Sequence, residues 1–155
     1  MVSYAAFLRG IMPMNPNTRN AKLKEVFEGL GFSDVQTVIS SGNVVFKSKP
    51  HNADLLENKI EKALALSLDF KNPVIVRSKD ELERIIRKNP FKGKEHDRKS
   101  YLIVTFLKKE PREIFSTLDL TKAPTPSFMT DLEKTHGKMI TTRTWLTINR
   151  IMKKF

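Results

Sequence analysis

Cysteine is missing from this 155-residue chain. With it go disulfides, thiolate metal sites and thiol nucleophiles, an absence that suits a reducing compartment. Glycine is scarce, and the six present, at 10, 29, 31, 42, 93 and 137, match the spacing of no Walker loop, dinucleotide fingerprint or nucleophile elbow. His51, His96 and His136 lie too far apart for a local metal motif, so neither a metal nor a cofactor is expected. No apolar run approaches the roughly 20 residues of a membrane span. The opening Met1-Val2-Ser3-Tyr4 lacks the basic start and apolar stretch of a signal peptide. Together these absences predict a soluble, cytoplasmic protein without membrane contact. Asp54, Glu57 and Glu61 share a helix face with lysines, the pattern of solvent-facing ion pairs rather than of an acid–base pair. No catalytic residue can be named, which leans against an enzyme.

Positive charge is what the chain has in quantity. The net charge is +11, and it is unevenly spread. Residues 1–77 carry 10 Lys/Arg and 7 Asp/Glu (+3), and residues 78–155 carry 18 and 10 (+8). One cluster sets Arg84, Arg87, Lys88, Lys92, Lys94, Arg98 and Lys99 against Glu95 and Asp97. A second, Lys138, Arg143, Arg150, Lys153 and Lys154, has no acid among its members. Such patches attract polyanions through phosphate contacts and counterion release. The plainer reading is a solvated face that keeps the protein soluble.

The hydrophobic pattern divides the chain at about residue 77. Residues 2–9 read as a strand apolar on both faces, which demands a cover on each. A Pro- and Asn-rich loop from Ile11 to Asn20 follows, in which Asn17 or Thr18 can cap a helix striped by Leu23, Val26, Phe27 and Leu30. Val35–Ile39 and Val44–Lys47 flank the turn Ser40-Ser41-Gly42-Asn43 as a hairpin. A helix over about 53–68 and a strand from Pro73 to Arg77 complete the order strand, helix, strand, strand, helix, strand, that of a ferredoxin-like split βαβ unit. The second half opens on the capping box Ser78-Lys79-Asp80-Glu81 and a helix that ends before Pro90. A basic loop and the strand Tyr101–Leu107 come next. Then follow a short helix from Pro111 with Ile114, Phe115 and Leu118, a linker over Thr121–Pro126, and a Thr130/Glu133 capping box. A last helix from about Thr142 carries Trp145, Ile148, Ile151, Met152 and Phe155 on one face.

Five segments stand in order along the chain: Tyr4-x-Ala-x-Leu8-Arg9-Gly10-Ile11, the helix closing on Leu30-Gly31-Phe32, Ser41-Gly42-Asn43-Val44-Val45-Phe46, Asn89-Pro90-Phe91, and Thr141-Thr142-Arg143-x-Trp145-x-Thr147. Together they resemble a bacterial family catalogued as domain of unknown function 1697. The resemblance implies an α+β fold of duplicated ferredoxin-like (βαββαβ) units, 1–77 and 78–155, packed as one compact unit. It implies no activity. Departures from the family pattern include Met12-Pro13-Met14-Asn15 in place of a Gly loop. The second half is read as degenerate or truncated, too short for a further aromatic strand.

Three functional readings compete. The first is a non-catalytic binding protein that contacts nucleic acid or another polyanion through Arg84, Arg87, Lys88, Lys92, Lys94, Arg98 and Lys99. The second is a small-molecule or nucleotide-binding enzyme whose anion cradle is built from Arg9, Gly10, Ser40, Ser41, Gly42 and Asn43, with Thr142 and Arg143 at a helix start. Against it, the turn residues need only make a turn, and the threonines need only cap. The third is an interaction adaptor or homodimer, favoured by an apolar patch left where the second half is short. An RNA-recognition domain shares the element order of residues 1–77. It places aromatic rings on its first and third strands, whereas Asn43-Val44-Val45-Phe46 carries one ring and lacks the required glycine pattern. That family is excluded.

Overall fold

A computed structural model describes residues 1–12, 14–121 and 128–155, so Pro13 and the expected linker beyond Thr121 lie outside the described residues. The fold is mixed α+β. In chain order, β1 (Val2–Leu8), α1 (Asn20–Gly29), β2 (Ser33–Thr37), β3 (Asn43–Ser48), α2 (Ala53–Leu68) and β4 (Val74–Ser78) form the first half. The second half consists of α3 (Lys79–Lys88), β5 (Ser100–Leu107), β6 (Glu113–Asp119), α4 (Phe128–His136), β7 (Ile140–Thr144) and α5 (Trp145–Met152). Two antiparallel sheets result, ordered β2-β3-β1-β4 and β6-β5-β7.

β1 is central in the first sheet, with Tyr4 opposite Phe46 on β3 and Ala5 opposite Arg77 on β4. Its side chains alternate between two cores, as a strand's period of two dictates. Tyr4, Ala6 and Leu8 join Leu23 and Phe27 of α1 and Leu56, Ile60 and Leu64 of α2. Ala5 and Phe7 join Leu82 and Ile85 of α3, Leu102, Val104 and Phe106 of β5, and Ile148 and Ile151 of α5. The second half therefore covers the face of β1 that the first half leaves open, which is why the strand has no polar side.

Four local expectations are corrected by the structure. Residues 113–119 form strand β6, paired with β5 along its length, and not a short helix. Ile114, Phe115 and Leu118 have the spacing of a helical stripe, but a β-branched and aromatic run beside an apolar strand gains more from cross-strand pairing. Residues 140–144 likewise form β7, and α5 starts only at Trp145, capped by Thr144, whose Oγ1 accepts from the Thr147 N–H at 3.3 Å. Thr130 lies inside α4, so it caps nothing. At α1 the N-cap is Arg19, without a side-chain cap bond, because Asn17 and Thr18 are taken up in a 3-10 turn over Pro16–Thr18.

The carboxylates of α2 also differ from expectation. β4 is an edge strand, and its outward N–H groups need acceptors that no neighbouring strand supplies. The Val74 N–H donates to Glu61 Oε1 at 2.9 Å, and the Val76 N–H donates to Glu57 Oε1 at 3.0 Å. Lys108 pairs with both acids, lying 3.7 Å from Glu57 Oε2. Glu57 is buried. Desolvation holds its carboxyl above the usual range, partly offset by the Val76 N–H and Lys108. These acids seal a sheet edge and do not simply face solvent. Among the described residues no helix is long and apolar enough to cross a membrane.

Candidate functional site

Of the residues expected to form an anion cradle, Ser41, Gly42, Asn43 and Arg143 meet, and the donors of Asn43 and Arg143 are already engaged. Arg143 stands on β7 and is buried. Its Nε–H donates to Asn43 Oδ1 at 2.6 Å, and Nη1 donates to Thr141 Oγ1 at 2.6 Å and to the Thr142 carbonyl at 2.7 Å. Nη2 donates to the carbonyls of Leu8 at 2.8 Å and Gly42 at 3.2 Å. A guanidinium has five N–H donors, and all five are accounted for. Burial lowers the pKa of Arg143 to about 10, so it remains a cation at neutral pH.

The remaining members of the cradle are also occupied or turned elsewhere. Asn43 Nδ2 donates to the Val38 carbonyl at 3.1 Å and to Ser41 Oγ at 2.9 Å. Arg9 Nη1 donates to the Lys138 carbonyl at 2.6 Å, and its Nη2 pairs with Glu133. Ser40 is exposed in the turn. Thr142 Oγ1 faces Met129 Sδ at 3.7 Å from mid-strand, so the expected helix-start phosphate site at Thr142 and Arg143 does not form. Gly10 and Gly42 adopt φ of +76° and +80°. At Gly42 a Cβ would come within 2.9 Å of the Leu8 carbonyl oxygen, so glycine is needed for this close approach. The cluster joins β1, β3 and β7, and its chemistry is that of a junction.

Arg77 makes the reciprocal junction, and nothing in the sequence reading singled it out. From β4 its Nε–H donates to Glu113 Oε1 at 3.0 Å, and its Nη2 donates to the carbonyls of Leu107 at 2.7 Å and Arg112 at 3.0 Å. Burial lowers its pKa, as does the charge of Arg112, while Glu113 opposes the shift. The two arginines flank a pair of rings. Arg143 lies 5.5 Å from the Phe7 ring centre, Phe7 stacks on Phe106 at 4.4 Å and 15°, and Arg77 lies 5.5 Å from Phe106. A cation–ring–ring–cation column thus runs through the shared core, with each half supplying one ring and one arginine. The sequence did contain a signal: a cation at the end of Val74-Ile75-Val76, a strand buried on both faces.

The basic cluster of the second half is arranged differently. Arg84, Arg87 and Lys88 are exposed on α3, and Lys92, Lys94, Arg98 and Lys99 are exposed in the segment leading to β5. Among the described residues none of the seven pairs with a carboxylate, whereas Arg9, Arg77, Lys108 and Arg112 all do. Lys88 lies 5.6 Å from the Phe115 ring centre, and Lys94 Nζ reaches Thr117 Oγ1 at 3.5 Å. A groove of about 450 Å³ between α3 and the β5–β6 turn is lined by Arg84, Lys88, Phe115, Glu81, Arg112 and Glu113. Three acids stand against its three cations: Glu81 pairs with Arg112 at 3.3 Å, Glu113 pairs with Arg77, and Glu110 is exposed, so the groove itself carries no excess of positive charge. Among the described residues no group of three or more histidines and acids is placed to hold a metal ion.

Comparison with known proteins adds a family and a fold. The family described as "Protein of unknown function (DUF1697)" matches residues 1–130. Among solved structures, the conserved bacterial protein SP0830 from Streptococcus pneumoniae is similar, with a TM-score of 0.68 at 22% identity. The similarity covers 99% of this chain and 98% of that one, so the likeness extends through both halves. A search of curated proteins finds no match.

Proposed function

This chain belongs to the DUF1697 family, a membership that brings no reaction with it, and we propose that it is a non-catalytic, cytoplasmic binding protein whose second half holds a polyanion. Nucleic acid is the polyanion that best fits the reading. Phosphate contacts would come from Arg84, Arg87, Lys88, Lys92, Lys94, Arg98 and Lys99, binding the backbone rather than reading bases in a groove. The supporting observation is the difference between the chain's cations. Those at the junctions are consumed by carbonyls and carboxylates, while these seven are exposed and free of carboxylate partners among the described residues. Arg77 and Arg143 spend their donors within the protein, whereas these seven cations stand at its surface.

The small-molecule reading draws less support, since each Arg143 donor already has an acceptor within the protein. On the same reading the second half is a degenerate copy of the first. The order α3-β5-β6-α4-β7 repeats α1-β2-β3-α2-β4, although β7 pairs with the strand after α3. The test is charge reversal. The double variant Arg87→Glu/Lys88→Glu should weaken binding to labelled single-stranded RNA and flatten the salt dependence by about two released counterions' worth of slope. Unchanged affinity and slope would overturn the proposal.

A further inference from the structure

The basic segment carries two stacked rings that the phosphate reading does not use. Tyr101 is the second residue of β5 and is 39% exposed. Its ring stacks on His96 with centroids 4.7 Å apart and planes 8° from parallel. His96 is itself fixed, because its Nδ1 accepts from the Leu102 N–H at 3.1 Å. The turn between the rings is also rigidly tied: Asp97 Oδ1 accepts from the N–H groups of Lys99 at 2.7 Å and Ser100 at 2.9 Å. The Asp97 N–H in turn donates to the Ser100 carbonyl at 2.9 Å, and the Leu120 N–H donates to the Lys99 carbonyl at 2.7 Å. Arg98 and Lys99 stand exposed on this turn, in sequence between the two rings.

An exposed tyrosine stacked on a half-buried histidine, beside two exposed cations on a braced turn, combines the two elements of a single-strand platform, a π-face for a base and positive charge for the phosphate beside it. Resting on the polyanion reading above, we propose that the ligand is single-stranded nucleic acid and that Tyr101, backed by His96, receives one unpaired base while Arg98 and Lys99 hold the adjoining phosphates. A duplex keeps its bases stacked inside, so it can use the cations of this site but not its rings.

The experiment measures fluorescence anisotropy with a labelled single-stranded oligonucleotide and a duplex of the same length, for wild type, Tyr101→Leu and Tyr101→Trp. Leu keeps apolar bulk at the strand start and removes the π-face, and Trp restores one. Tyr101→Leu should bind the single strand about 5- to 150-fold more weakly, the ~1–3 kcal/mol of one base–ring stack at ~1.4 kcal/mol per tenfold. Its salt slope should match wild type, its duplex affinity should not change, and Tyr101→Trp should restore single-strand binding. Single-strand affinity unchanged in Tyr101→Leu, while wild type binds with a steep salt slope, overturns this inference and leaves the polyanion reading standing. Equal losses on single strand and duplex also overturn it. Wild type that binds neither oligonucleotide overturns both.

Discussion

Replacing Arg143 by alanine should cost more stability than any surface change in this protein, and the size of the loss follows from its hydrogen bonds. The substitution withdraws five N–H donors from a buried site. The Gly42 carbonyl keeps a partner, since the Leu8 N–H donates to it at 2.8 Å. Asn43 Oδ1, Thr141 Oγ1 and the Leu8 carbonyl lose the donors described above. A buried acceptor left unpaired costs about 1–3 kcal/mol. Relief from burying a guanidinium without a carboxylate partner offsets part of this total. The net loss should be about 3–5 kcal/mol, a large share of the ~5–15 kcal/mol that holds a typical domain together. For a chain of this size that corresponds to a fall in Tm of roughly 6–20 °C. Urea unfolding followed by circular dichroism and by Trp145 fluorescence measures it. Arg143→Lys should recover only part of the loss, because an ammonium has fewer donors and no planar fork. Arg9→Ala, a partly exposed residue, should cost less than about 1 kcal/mol. A loss below about 1 kcal/mol in Arg143→Ala would refute the argument that this residue fastens β7 to β1 and β3.

Two further substitutions test the interior. Glu57 has a folded pKa raised by burial, so the folded state binds its proton more tightly than the unfolded state, and this group's contribution to stability declines as pH rises from the usual carboxylate range through the raised value. Glu57→Gln keeps an acceptor for the Val76 N–H, so the stability of wild type relative to the variant should fall in urea melts as pH rises from the usual carboxylate range; a pH-independent difference would contradict the assignment. Thr105 Oγ1 is buried on β5 and has no hydrogen-bond partner among the described residues. Thr105→Val should therefore raise stability by about 1 kcal/mol, read as a higher urea midpoint at constant m, and a lower midpoint would show that the hydroxyl is satisfied.

How far the sequence carried depended on whether the deciding contact was local. The Ser78/Glu81 capping box forms as expected, with both reciprocal bonds present, because a helix start is settled within four residues. The 53–68 helix appears with its expected bounds, and the two-faced apolar pattern of β1 correctly required a second cover. Residues 113–119 went the other way. Ile114, Phe115 and Leu118 fit a helical stripe, and only pairing with β5, which depends on where that strand lies, decides for a strand. The same holds for Thr141, Thr142 and Arg143, which read as a helix start until β5 is beside them.

The candidate site was legible in composition and not in geometry. Clustering of the cations from Arg84 to Lys99 picked out side chains that are exposed and, among the described residues, pair with no carboxylate, because charge density along a chain survives folding when the segment stays at the surface. Arg9, Asn43 and Arg143 were grouped as an anion cradle; Asn43 and Arg143 do meet, and both spend their donors within the protein. Whether a guanidinium binds a ligand or its own carbonyls depends on contacts 100 and more residues away in sequence. Arg77 was missed for the same reason, since its acid lies 36 residues further on.

The most direct test of the central claim is the salt dependence of wild-type binding to labelled single-stranded RNA, measured by anisotropy from low to physiological ionic strength. If about five of the seven cations each hold a phosphate, the log–log slope should be near −3.5, with binding that persists at physiological salt. A slope close to zero, or binding seen only at low salt, would make the charge of the second half a solubility feature and contradict the account.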